Sequence, residues 1–249
     1  MTITRRKFLV IRRPLTCVYC GRPGTTKDHV VPRCLLEKPF PPNLLTVPSC
    51  KKCNEGYSKD EEYFLAVMAQ TGFVPSLERK VEKGGVVDRM LERSLGLDTH
   101  FKNTARIAEG GGVAIVPDEI RIANVTRKVA FGLYWHRYKP TAMPALNKFF
   151  AGQPVHNLDD NNPIVLMIYN DRFRPKRWKH IQTLNVPGLA KVQILDYMFV
   201  RDWNDFDRLY CIMRFHETVW AAVQCPHPPK RRNSKRSVGP VHSGQEELF

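Results

Sequence analysis

An α+β fold is predicted by three observations. The first part of the chain carries two Cys-x-x-Cys pairs among prolines and glycines, the middle has apolar residues at helical spacing, and the last part has short β-branched and aromatic runs. At 249 residues, with 43% hydrophobic and 25% charged, the chain can bury a sizeable core. No apolar run approaches the roughly 20 residues of a membrane-spanning helix, so no membrane partner is expected. Phe8-Leu9-Val10-Ile11, set between basic clusters, is shorter than the apolar stretch of about 7–15 residues in a secretory signal. Seven cysteines, an odd count, do not form a disulfide framework, and a cytoplasmic location is expected.

Residues 14–57 look like loops and short strands pinned by something other than a core. Ser58-Lys59-Asp60-Glu61 has the form of a capping box, followed by Phe64, Val67 and Met68 at helical spacing, and Gly72 and Pro75 close that helix. Between 76 and 96, Leu77, Val81, Met90, Leu91 and Leu95 predict helix broken near Gly84-Gly85. Gly110-Gly111-Gly112 marks the best boundary. Ile122, Val125, Val129 and Leu133 predict a helix ended by Pro140, and 164–169, 192–200 and 208–215 read as strands of an antiparallel sheet. The expected division is 1–72, a helical connector 73–112, an α+β domain 113–224 and a disordered basic tail 225–249.

Thirty-nine Lys and Arg against 24 Asp and Glu give a net charge of +15. Residues 1–13 hold +5 and 226–249 hold +3, which leaves +7 for the body. A basic body with basic ends points to a polyanionic partner, nucleic acid first.

Cys17-x-x-Cys20 and Cys50-x-x-Cys53 are the most specific signal. Two residues between cysteines let both thiolates of a tight turn reach one ion, and two such turns complete a tetrahedral zinc site. Four thiolates leave no open position, so the zinc is structural, and Arg22, Lys51 and Lys52 are placed to offset its negative charge. The 29 residues between the pairs exceed the roughly 15–20 of a compact four-cysteine finger, so something is folded into that span.

That span contains Asp28-His29-Val30-Val31-Pro32 and Asn43, and Asn54 follows the last cysteine. Asp28 and Asn54 offer an anionic and a neutral oxygen, suited to a hard cation such as Mg²⁺ or Mn²⁺. His29, on the other side of a strand from Asp28, is of the right type to take a proton from water near neutral pH. In this order the residues resemble the HNH endonuclease motif in its zinc-stabilised ββα-metal form, over about residues 14–63. The segment from Asn43 to Phe64 is similar to a subset of uncharacterised bacterial HNH proteins. The resemblance implies metal-dependent hydrolysis of a phosphodiester, DNA before RNA, leaving a 5′-phosphate and a 3′-hydroxyl. It makes Asp28 and Asn54 ligands of a catalytic Mg²⁺ or Mn²⁺, His29 the general base, and Asn43 a brace for the loop that positions His29. Three positions depart from the pattern. Asn54 stands where many members have His, Tyr57 where Lys is frequent, and Cys34-Leu35-Leu36 replaces a Gly-Gly. A non-catalytic zinc module that binds nucleic acid or protein is the alternative.

A second basic segment, 171–180, sets Arg172, Arg174, Lys176, Arg177 and Lys179 around Phe173 and Trp178. Such a pattern serves phosphate pairing and base stacking, or else is a basic loop whose rings pack back onto the sheet. Cys34 is expected as a packed thiol, and Cys225 with His227 is too sparse a pair to hold a metal.

Overall fold

The computed structural model describes residues 15–36, 38–41, 44–70, 77, 80, 82–107, 113–140, 142–152, 178–182, 193–201 and 208–228. Asn43, Arg172, Arg174, Lys176 and Arg177, the strand expected at 164–169, the basic N-terminal arm and all but the head of the tail lie outside these residues.

The fold is α+β with antiparallel sheets. Strands β1 (Thr26–His29) and β2 (Thr46–Ser49) form a two-stranded sheet, with Asp28 opposite Val47 and His29 opposite Thr46. Helices α1 (Lys51–Glu55) and α2 (Ser58–Gln70) follow directly. The break between them falls at Gly56-Tyr57, so a short helix across the second cysteine pair precedes the one starting at Ser58. The capping box does not form as expected. Ser58 donates its hydroxyl to the Glu55 carbonyl at 2.7 Å, and the Glu61 carboxylate is engaged elsewhere.

Helices α3 (Val86–Arg93) and α4 (Leu95–Thr104) lead to a small hairpin, β3 (Ala105–Ile107) with β4 (Val113–Ile115). The strands on either side of the glycine run therefore pair with each other. The long helix α5 (Glu119–Tyr138) starts at Asp118, whose carboxylate accepts from the Ile120 and Arg121 amides. It ends where Lys139 turns left-handed, at φ 43°, ahead of Pro140. From Val125 to Tyr134 nearly every side chain is buried, which is the signature of a central helix rather than an amphipathic surface one.

Among the described residues, five strands form one antiparallel sheet in the order β5 (Phe150–Ala151), β9 (Val219–Cys225), β8 (Leu209–Phe215), β7 (Gln193–Arg201), β6 (Lys179–Gln182). Cys211, Met213 and Phe215 alternate into the core, as do Val219, Ala221, Val223 and Cys225 from the next strand. Cys225, which composition places at the head of the tail, thus closes β9 as a buried residue. The core is continuous. Val30, Leu35 and Val47 of the first segment share it with α2, α5 and the sheet, so the described parts of 1–72 and 113–224 are joined through one interior.

Candidate metal centre and the adjoining histidine

The first cysteine pair sits in a knuckle closed by backbone hydrogen bonds. The Cys17 amide donates to the Arg22 carbonyl at 2.7 Å and the Gly21 amide to the Cys17 carbonyl at 2.9 Å. Gly21 takes φ +73°, a conformation glycine adopts without the cost a Cβ would bring. The second pair spans the start of α1, where Cys50 is the residue before the first helical turn. Together the four sulfurs lie within 4.8 Å of one another and can hold a tetrahedral metal ion such as zinc. Arg22 donates its Nε to Cys20 Sγ at 3.4 Å, and this guanidinium draws the exposed Cys20 thiol down to about 6. The donor set fits zinc, which needs deprotonated thiols.

The same knuckle delivers Tyr19 to the hairpin. Its hydroxyl donates to Asp28 Oδ2 at 2.8 Å, and its ring stacks on Phe131 of α5 at 5.4 Å. The other oxygen of Asp28 accepts from Lys128 Nζ at 2.9 Å, and the same ammonium pairs with Glu61 of α2. This group is shut in, the side chains of Lys128 and Asp28 being 1% and 5% exposed and that of Glu61 17%. Burial outweighs the nearby ammonium at Glu61 and holds its carboxyl above the usual range.

His29 points the other way from Asp28, as alternation along β1 requires, and is half-buried. Burial first, then the Arg33 charge, lower its pKa, so the imidazole is neutral at pH 7. Asn54 turns its amide nitrogen to β1, donating to Thr26 Oγ1 at 3.3 Å and toward the Lys27 carbonyl at 3.5 Å. It ties α1 to the strand that carries Asp28 and His29. Cys34 is a packed thiol whose Sγ donates to the Glu61 carbonyl, and burial pushes it up to about 12. Trp178 makes an edge contact with Trp220 at 6.0 Å, so its ring lies against the sheet.

Tyr19, Glu61 and Lys128 have no place in the motif that marks Asp28 and Asn54. Tyr19 is hidden between the cysteines, and Glu61 reads as a cap. Lys128 carries a weak signal of its own, a cation set between the apolar positions Val125 and Val129 of a helix, where burial demands a partner. That partner lies 100 residues away in sequence, beyond any local pattern. Compared with known proteins, the chain matches no family model, no curated protein and no solved structure.

Proposed function

We propose that this chain is a phosphodiester hydrolase acting on nucleic acid, DNA before RNA, of the HNH kind that its residues 14–63 resemble. The observation that carries the reading is His29. It is a half-buried, neutral imidazole at the end of β1, on a hairpin followed by a helix and pinned beside four convergent thiols. A neutral imidazole can take the proton of an attacking water. The exposed Arg33 guanidinium, close enough to depress the His29 pKa, supplies positive charge for a phosphate at the same edge. Zinc in a closed four-sulfur shell serves the fold and offers the substrate no open position.

The second metal is a different matter. A divalent ion at Asp28 needs a carboxylate oxygen with free lone pairs and room for water. In this arrangement Tyr19 and Lys128 each take one of its oxygens and the carboxylate is buried. Asp28 as it stands does not fit such an ion, and the hydrolytic step rests on His29 and Arg33.

The buried Asp28, with both oxygens engaged, favours a second reading, a non-catalytic zinc-stabilised module that binds nucleic acid. One experiment separates the two. Purified protein is incubated with duplex, nicked and single-stranded DNA and with RNA, with Mg²⁺, with Mn²⁺ and without either. If the hydrolase reading holds, His29→Ala lowers cleavage by about 10²–10⁴-fold while binding changes little. Tight binding with no cleavage under any condition selects the binding module. In either case, neutralising Arg172, Arg174, Lys176 and Arg177 should weaken binding and flatten its salt dependence, because fewer counterions are released.

A further inference from the structure

Asp28 is the residue that the resemblance assigns to a metal, yet the cation beside it belongs to the chain. Lys128 Nζ lies 2.9 Å from Asp28 Oδ1 and also bonds Glu61 Oε1, so two carboxylates from separate elements converge on one point. One ammonium against two carboxylates leaves the group a charge short, whereas a divalent ion at that point would balance both. The Tyr57 ring, 5.5 Å from Nζ, completes the enclosure. We infer that the Lys128 ammonium and a divalent cation are alternative occupants of the Asp28 and Glu61 carboxylates, so that α5, while docked on the hairpin, keeps metal off Asp28.

The docking leaves Lys128 little freedom to withdraw. Residues 128, 132 and 136 form one stripe of α5 along the hairpin. A Cβ at Gly132 would stand 2.7 Å from Val30 Cγ2, so α5 lies hard against the residue that follows β1. His136 Nε2 lies 3.0 Å from the Thr46 carbonyl oxygen, and Phe131 is stacked on Tyr19. These contacts hold α5 on the C-terminal side of Lys128, and Arg121 and Asn124, both bonded to Asp60 of α2, hold it on the other, so freeing the carboxylates means moving α5 or removing the charge. The inference extends the hydrolase reading by saying what governs metal at Asp28, but its test does not depend on any nucleic acid being cut.

The test is Mn²⁺ binding by the full, zinc-loaded chain, followed by electron paramagnetic resonance of free Mn²⁺ and by calorimetry. Lys128→Met removes the charge and nearly keeps the volume. It should bind Mn²⁺ at least ~10-fold more tightly than wild type, and Asp28→Asn in that background should abolish the gain. Should the two unpaired carboxylates keep Lys128→Met from folding, Lys128→Met with Glu61→Gln removes one of them and should still show an Asp28-dependent gain. Asp28-dependent binding by wild type as tight as that of Lys128→Met would overturn the inference, since metal and ammonium would then coexist. A folded variant of either kind with no gain would overturn it as well. Cleavage by wild type and by His29→Ala is scored separately, so the hydrolase reading can fail while this one stands.

Discussion

The hairpin with its cysteines and the five-stranded sheet are stabilised in opposite ways. The sheet is a conventional apolar construction, in which alternate residues of β8 and β9 are buried in one interior with a central helix. The hairpin has four residues in each strand and supplies little apolar surface of its own. Four convergent thiols that could hold a metal stand at one end, the Asp28–Lys128 pair ties the middle, and the Gly132–Val30 contact closes the other. A small unit can thus hold a histidine at its edge without a private core, provided that a metal site and a borrowed helix replace one. The difference teaches where each part is vulnerable. Chemistry of a few atoms should decide the hairpin, and packing volume should decide the sheet.

The largest effect should come from the thiols. Purified protein should contain about one zinc per chain, and removing it by chelation or by Cys53→Ser should forfeit on the order of 10 kcal/mol of metal binding linked to folding. Metal analysis with circular dichroism during thermal melts checks this. An unchanged melt in the zinc-free chain would mean that the shared core alone holds the hairpin, and the contrast would collapse.

On the sheet side, Phe215→Ala should cost about 3–5 kcal/mol. Phe215 is fully buried and meets Phe64 of α2 edge-on at 5.4 Å, so the loss falls on the seam between the sheet and the first segment. Denaturant melts with zinc present should show the loss while zinc content stays the same.

A pH effect of intermediate size is expected at the β8–β9 turn. Burial, and then the Lys80 charge, depress His216 from its ordinary 6.5 to about 4. The unfolded chain therefore takes up a proton that the folded chain refuses. Stability is full above about pH 6.5 and falls as pH drops toward 4, by about 3 kcal/mol at most from this residue. His216→Asn, which tolerates the left-handed backbone at that position, should flatten part of the dependence in melts taken across this range. His29 and His136 shift in the same direction and will leave a remainder.

Gly132→Ala adds one methyl group against the fully buried, β-branched Val30 and should destabilise by about 1–2 kcal/mol, although alanine favours a helix. Val30→Ala in the same chain should recover part of the loss. Full additivity of the two changes would show that helix and strand do not meet as tightly as the geometry indicates.

By itself the sequence determined what short-range patterns encode. Two Cys-x-x-Cys pairs announce thiols that can converge on one ion, an alternating run announces a strand, and Ile122, Val125, Val129 and Leu133 ahead of Pro140 announce a helix, because each depends on neighbours in the chain. The β8–β9 turn escaped that reading for a local reason. His216 and Glu217 adopt the positive φ values of 46° and 66° usually flagged by Asn-Gly, and so β9 had no visible start. The tertiary structure alone decided the environment of the motif. Asp28 reads in sequence as an open carboxylate beside a histidine, but its partners are Tyr19 from the knuckle and Lys128 from a helix 100 residues on. An ion pair depends on distance in space and on exclusion of water, and neither leaves a mark in the spacing of residues along the chain.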